Sequence, residues 1–595
     1  MIDRATKLRW RRKIKRGRLQ VEDYNQSAEI NLEKNLFKRF HRLNDVRRFI
    51  FIWISLIVLL LGITLFQIFD ISQYYQKTGY SSGGIFYEGA VGLFTNANPL
   101  FATGDVNSTV SDLLFPGLLK FNQKNQLVGD LAKSWSVDAS GQNYTVNLRP
   151  NLHWQDGKPL TADDVVFTYQ TIENPDVQSS LFNNWYGIKV TKINDLTIKF
   201  MISSPLSSFP DELTNGIIPE HIFASIPATQ LESSSFNNID PIGSGPFKLA
   251  SLTTTQGTST AGLNERIDLI PNNYYYQTKP KLSGFNLITY ANEADLLKAF
   301  TSQNIQAMIG MNSIPNSLIK NQSVYTYHIP ITAETMVFYR NNSSILSDVK
   351  MRKAMSEAIN TQQVMSQLSY PALPVKGPLL PNMIGYSSKY DQVTNNISDA
   401  NQILDSLGWI KKSDGYRYKG SQELQLSLYT QNTPDYLNAA HSLISQWQKI
   451  GVKVQLVKLS SLDIKSVIAY KTYDMLLYSI VVGNDPDVFA YWDSSQAQPN
   501  AIPGLNLSMY KSSVADDSLA AGRTRLDPAL RAIKYEPFLQ SWQADYPALA
   551  LYQPNYLFVT RPRINNFNPY MINAVTDIYS NINNWEIKQV KITNQ

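Results

Sequence analysis

LQLSLYTQNTPDYLNAAHSLISQWQKIGVKVQLVKLSSLDIKSVIAYKTYDMLLYSI, Leu424 to Ile480, is the stretch whose reading decides the fold. Leu424, Leu426 and Leu428 alternate with polar residues, the period of a half-buried strand. Thr433-Pro434 supplies an N-cap and a first-turn proline, so a helix should run from there to Ile450, and Gly451 ends it. Val452, Val454 and Leu456 alternate again as a second strand. A second helical stretch follows near Leu462 to Tyr470, and YDMLLYSI, Tyr473 to Ile480, reads as a third strand. The order β-α-β-α-β implies a parallel sheet with right-handed crossovers. Ligands on open α/β sheets sit beyond the carboxyl ends of the strands, which points to Thr430–Asn432 and Val481–Asp487.

Moving toward the N-terminus, the chain becomes β-rich. Trp135 and Val137, then Tyr144, Val146 and Leu148, flank the polar DASGQ at Asp138–Gln142, a hairpin pattern. Asp156-Gly157 marks a turn. Thr161 followed by Asp163, Asp164, Val165, Val166 and Phe167 predicts an N-capped helix start. Ser72–Gly84 is polar and Gly/Ser-containing, a short spacer. Before it stands FIFIWISLIVLLLGITLFQIF, Phe49 to Phe69, without a charged residue. At 1.5 Å per residue it reaches about 31 Å, one hydrocarbon thickness.

Residues 1–48 hold 15 Lys+Arg and 6 Asp+Glu, a net of +9, so the rest nets −3 against the whole chain's +6. Lys/Arg bias, with Arg47 and Arg48 abutting the apolar run, puts the tail in the cytoplasm and the body outside. A 48-residue leader and a 21-residue core suit an uncleaved anchor better than a cleaved signal, whose apolar core spans about 7–15 residues. Cysteine is absent. No disulfide or lipid-modified Cys is therefore available, and an exported body must rely on its core. No other segment is apolar enough to span, which excludes a channel or permease. RWRRKIKRGR, Arg9–Arg18, is a cationic run that suits anionic lipid better than nucleic acid beside such an anchor. Leu32, Leu36, Phe40 and Leu43, among Lys34, Lys38, Arg39 and Arg42, predict a basic amphipathic helix on the inner leaflet.

No catalytic set stands out. His41, His153, His221, His328 and His441 are scattered, with no close pair for a metal or a dyad. Gly243–Gly245 is followed by Pro246, a turn rather than a phosphate cradle, and no G-x-S-x-G elbow occurs. Asp163-Asp164 suits a helix N-terminus. Asp485-Pro486-Asp487 reads as a helix start with Pro at its first position, which favours a structural role for Asp485 over a ligand contact. The 33 Tyr, 25 Phe and 10 Trp fit core and cleft lining.

Several stretches, in order, resemble one family. They are LLFPGLLKFNQKNQLVGDLAKSWSVDASGQNYTVNLRPNLHWQDGKPLTADDVVFTY (Leu113–Tyr169), PIGSGPFKL (Pro241–Leu249), PNNYYYQTKPKLSGF (Pro271–Phe285), DVKMRKAMSEAIN (Asp348–Asn360), ANQILDSLGW (Ala400–Trp409), IGVKVQLVKL (Ile450–Leu459) and YDMLLYSIVVGNDPD (Tyr473–Asp487). Together they resemble the extracellular solute-binding proteins of ABC importers, in the oligopeptide/dipeptide/nickel class, over about residues 85–595.

The resemblance implies an α/β, two-lobed periplasmic-binding-protein-like fold with an extra β-rich subdomain, preceded here by a single transmembrane helix. It implies no enzymatic activity and no cofactor. The expected organisation is a basic cytoplasmic tail (1–48), the transmembrane helix (49–69), a linker (70–84), lobe I (85–339, with the extra subdomain about 119–205), lobe II (340–550) and a return to lobe I (551–595). A peptide or oligosaccharide would lie between the lobes, and the closed form would dock on a permease driven by two cytoplasmic ATPases.

In peptide-binding relatives two segments pair with the peptide backbone. By position these fall on Thr103, Gly104 and Asp105, and on Tyr478, Ser479 and Ile480, with Val481, Val482 and Asp485 beyond. The sequence departs from the peptide-binding pattern here. The Gly-Trp positions hold Tyr478 and Ser479, and the ammonium-clamping Asp position holds Val482. Asp485 or Asp105 would have to replace that acid, or the solute is not a free peptide N-terminus. No histidine falls in the segment, which disfavours nickel. Two other classes compete: a sensory or scaffold protein that kept the fold and signals through its tail, and a hydrolase, which lacks a nucleophile–base set.

Overall fold

The computed structural model describes residues 9, 11–17, 21, 25–26, 29–30, 47–74, 76–256, 263–311, 313–498 and 504–593. The amphipathic helix expected over Leu32–Leu43 lies outside them. Residues 11–17 of the cationic run are helical and exposed.

Two compact units make up the chain, Met1–Gly79 with Gln589–Gln595, and Tyr80–Lys588. In the first, one helix spans Arg47–Tyr74. Its Arg47–Gln67 portion has a mean hydropathy of 2.8 and none of that window is buried. An apolar helix with no protein around it matches a lipid environment in length and composition. The expected spacer over 70–84 is not irregular throughout, because this helix runs to Tyr74 and a strand over Gln76–Ser81 pairs with Lys588–Thr593.

The second unit holds two lobes. Lobe I is built on a seven-stranded mixed sheet with the order Tyr325–Pro330, Asn555–Thr560, Ala307–Met308, Ile85–Val91, Gly284–Tyr290, Leu263–Pro271, Phe247–Gln256. Ile85–Val91 runs parallel to both Gly284–Tyr290 and Ala307–Met308. The extra β-rich region is a four-stranded antiparallel sheet, Ala132–Val137, Asn143–Leu148, Thr197–Met201, Lys189–Asn194. The Ala162–Glu173 helix packs on it, closed by a Thr161/Asp164 capping box. Phe86 of the large sheet and Tyr144 and Trp185 of the extra region lie in one continuous core. Gly243 and Gly245 back onto the end of the Gly104–Leu114 helix, where a Cβ would come within 2.0 Å and 2.4 Å of Leu114 and Leu113 carbonyl oxygens.

Lobe II is a six-stranded sheet with the order Leu373–Pro374, Ala548–Gln553, Ala333–Tyr339, Met475–Val481, Gln425–Gln431, Lys453–Leu459. Gln425–Gln431 pairs in parallel with both Lys453–Leu459 and Met475–Val481, and the Pro434–Lys449 and Asp463–Tyr470 helices connect them. This is the β-α-β-α-β unit expected from Leu424–Ile480. Two cores flank the sheet, one taking Leu477 and Met475, the other Leu476 and Ile480. That is the alternation a pleated strand imposes.

Three expectations change. Ala333–Tyr339 and Ala548–Gln553 belong to the lobe II sheet, so the chain crosses between lobes near residues 331–332 and 554 rather than at 339/340 and 550/551. Asp485-Pro486-Asp487 does not start a helix. The next helix is Phe489–Trp492, and the Asp485 side chain instead accepts a bond from Asp487 N at 2.9 Å. Thr433 precedes its helix in extended geometry without a side-chain cap bond.

Candidate functional site

A cavity of about 430 Å³ opens between the lobes, within the usual range for small-ligand sites. Lobe I contributes Asp105, Gly310, Met311, His328 and Tyr556. Lobe II contributes Thr335, Tyr370, Asp435, Tyr436, Ser479 and Tyr552.

The lobe II wall follows from sheet geometry. Pairing between Gln425–Gln431 and Met475–Val481 ends at Thr430↔Leu477, whereas pairing to Ala333–Tyr339 continues to Val481. Beyond Leu477, the strand therefore has one paired edge, and its other edge has left the ladder with Gln425–Gln431. Ser479 sits there, its hydroxyl joined to Thr335 Oγ1 at 2.7 Å and receiving the Tyr436 hydroxyl at 2.8 Å. Asp435, in the first turn of the Pro434–Lys449 helix, accepts from Ser369 N at 3.2 Å and from Ser369 Oγ at 2.9 Å.

On the lobe I wall, Asp105 lies in the first turn of the Gly104–Leu114 helix, and burial raises its pKa above the usual carboxylate value. Gly310, with φ +75°, lets it approach, since a Cβ there would stand 3.3 Å from Asp105 Oδ2. His328 stacks on Tyr370, with ring centroids 6.1 Å apart, and its Nδ1 is buried without a partner. Burial lowers its pKa, with Asp435 opposing. The imidazole is thus neutral at physiological pH.

Of the residues expected at the site, Asp105 and Ser479 meet in this cavity. Thr103 is exposed and extended, but Gly104 already begins the helix with φ +77°. Val481 shares the face of Ser479 and is 54 % exposed. Tyr478, Ile480 and Val482 turn to the opposite face of the sheet, the last two buried. Asp485 is held by Arg531 through two bonds of 2.8 and 2.6 Å, so Asp105 is the cleft acid of the two candidates. Sequence reading missed Asp435 and Tyr436, although the strand-end rule pointed to Thr430–Asn432, one turn short of them.

A second interlobe contact lies away from the cavity. Ser207 N and Oγ donate to Arg523 O at 2.9 and 3.0 Å, and Ser208 Oγ donates to Asp487 Oδ2 at 3.1 Å. Asp487 is also paired with Arg523 at 3.1 Å.

The family model for bacterial extracellular solute-binding proteins, family 5 (middle), matches residues 126–501. The oligopeptide-binding protein AppA of Bacillus subtilis is 27 % identical over 518 residues, 84 % of this chain and 91 % of that protein. Among solved structures, the substrate-binding protein CtaP of Listeria monocytogenes superposes with a TM-score of 0.73 at 23 % identity, covering 85 % of this chain and 99 % of that one. NikZ of Campylobacter jejuni, in complex with Ni(L-His), gives a TM-score of 0.69 at 24 % identity, covering 84 % and 99 %. These neighbours share the two-lobed fold.

Proposed function

Because this chain belongs to the family 5 bacterial extracellular solute-binding proteins, we propose that it captures a peptide between its lobes and delivers it to an ABC permease while tethered to the membrane. The observation that carries the peptide reading is the strand edge at Tyr478–Ile480, which leaves its ladder beside the interlobe cavity. An extended peptide adds to such an edge through main-chain hydrogen bonds, and side-chain pockets then supply selectivity. AppA of Bacillus subtilis, named as an oligopeptide-binding protein, supports the same class. Thr103, Gly104, Asp105 and Ser479 would contact the solute most directly.

Four tyrosines around the cavity, Tyr370, Tyr436, Tyr552 and Tyr556, favour an oligosaccharide as the second reading. The Arg47–Tyr74 helix would hold the protein in the membrane, with the basic tail on the cytoplasmic leaflet against anionic lipid and the body outside. The protein would perform no catalysis. A purely sensory role would instead run through the tail, and deletion of Met1–Leu43 separates the two, because a transport receptor should still support uptake.

The test is mass spectrometry of full-length protein in lipid nanodiscs, equilibrated with a pool of tri- to nonapeptides and a pool of oligosaccharides. Retention of peptides, with compaction in solution scattering, is the expected result. Retention of glycans alone overturns the peptide reading, and no retention or compaction with either pool overturns the receptor reading.

A further inference from the structure

The second interlobe contact, away from the solute cavity, carries more acid than base. From lobe I, Ser207 and Ser208 lead into the short Phe209–Glu212 helix, which holds Asp211 and Glu212. From lobe II come Asp485 and Asp487, with Arg523 ending the Ser513–Arg523 helix and Arg531 in the Pro528–Asp545 helix. Four carboxyls thus gather around two guanidiniums, and both guanidiniums are engaged. Arg531 takes Asp485 through two bonds, and Arg523 pairs with Asp487 at 3.1 Å. Glu212 accepts from Asn184 Nδ2 at 3.0 Å. Among the described residues, Asp211 forms no ion pair. Its N–H donates to Ser208 O at 3.0 Å, which keeps it one turn from the serine whose hydroxyl reaches Asp487 across the lobes.

Asp487 Oδ2 accepts from Ser208 and pairs with Arg523, but its Oδ1 is buried without a partner. A further negative charge beside that oxygen is poorly compensated in so dry a setting. Burial, then the charges of Asp485, Glu212 and Asp487, push the Asp211 pKa up to about 7 against the pull of Arg531. Burial raises the Asp487 pKa as well, with Arg523 opposing. The tyrosines at this contact are Tyr144, whose hydroxyl donates to Leu206 O at 2.9 Å, and Tyr535. Burial raises the pKa of both, so they stay neutral and Asp211 is the group that titrates near pH 7. When the lobes part, Asp485 and Asp487 leave Asp211 together with the cover that lobe II provides, and its pKa falls toward the ordinary carboxylate range.

We propose that Asp211 couples closure of the lobes to the uptake of a proton, so that acid strengthens solute capture and alkali weakens it. The proposal rests on the solute-binding role given above. Its sign follows from linkage. A group that holds its proton more tightly in the closed form stabilises that form as pH falls through about 7, and the advantage levels off where the open form protonates too. Above that pH both forms are ionised, and closure then brings a bare carboxylate against Asp485 and Asp487. A difference of one pKa unit between the two forms is tenfold in the closing equilibrium. Apparent affinity scales with the closed fraction, so the same factor appears in solute binding. Asp211 does not line the solute cavity, which separates its effect from titration of the solute contacts.

The test compares wild type with D211N, which matches the neutral acid in shape, as full-length proteins in nanodiscs. Isothermal titration with a peptide recovered from the pool of tri- to nonapeptides is run at pH 5.5 and pH 8. Wild type should bind about tenfold more weakly at pH 8, whereas D211N should hold the wild-type pH 5.5 affinity at both. Asp105 and Glu88 are present in both proteins, so the difference between the two pH profiles reports Asp211 alone. At pH 6.5 wild type should also take up more protons on binding than D211N, read in buffers of different ionisation enthalpy. Solution scattering of the empty proteins gives a readout without solute: wild type should be more compact at pH 5.5 than at pH 8, and D211N equally compact at both. A D211N profile that tracks wild type, with equal proton uptake, overturns the coupling and leaves solute binding intact. Binding of no peptide by either protein at either pH overturns the solute reading on which the coupling depends.

Discussion

Ser207 and Ser208 offer a way to weaken lobe closure without touching the solute cavity. Neither residue lines that cavity, yet Ser207 Oγ reaches Arg523 O at 3.0 Å and Ser208 Oγ reaches Asp487 Oδ2 at 3.1 Å across the lobes. When the lobes separate, water replaces both partners, so each bond is worth only its net value of about 1 kcal/mol. One kcal/mol is about a fivefold change in the open–closed equilibrium. If the solute binds the closed form and the free protein is mostly open, its apparent dissociation constant scales with the inverse of the closed fraction. S208A should therefore weaken binding about fivefold, and S207A/S208A further but by less than the additive value of about 25-fold, because both bonds end on the Arg523–Asp487 pair. Isothermal titration with a solute recovered from the peptide pool measures this. Solution scattering at saturation should give the wild-type radius of gyration, since the closed structure itself is unchanged. A double variant that binds within about twofold of wild type, or one that fails to compact at saturation, would refute the latch.

Glu88 gives a pH prediction of unusual sign. It is buried on the Ile85–Val91 strand, takes a bond from the Tyr579 hydroxyl, and burial pushes its pKa up to about 8. With the folded pKa above the unfolded one, the native state keeps a proton that the unfolded chain releases, so stability falls as pH rises from about 4.5 to 8. E88Q should remove roughly 4 kcal/mol of that loss, read from urea unfolding at pH 5 and pH 9, and an unchanged slope would contradict the assignment. G310A places a Cβ 3.3 Å from Asp105 Oδ2 at φ +75°, so it should cost about 1 kcal/mol or more in stability and weaken solute binding, and a variant at wild-type levels in both would count against that close approach. Removing Phe49–Phe69 should release the body from membranes in alkaline carbonate that retain the full chain, and release of the full chain as well would argue against the anchor.

What the sequence revealed depended on how the chain buries each strand. Leu426 and Leu428 are buried while Gln425, Ser427 and Tyr429 are not, and that alternation made the β-α-β-α-β unit legible. Ala333–Tyr339 and Ala548–Gln553 are buried at every position, so they carry no period of two and the lobe boundaries were misplaced by several residues. Asp485 looked available because its partner Arg531 lies 46 positions downstream, a pairing that only the fold brings about. Asp105 and Ser479 were reached through family position, and both line one cavity. One is fixed at a helix N-terminus on lobe I, the other on a strand edge of lobe II, so a solute touching both must hold the two lobes together. The edge of that strand beyond Leu477, which has left its ladder with Gln425–Gln431, is thus suited to seat a main chain.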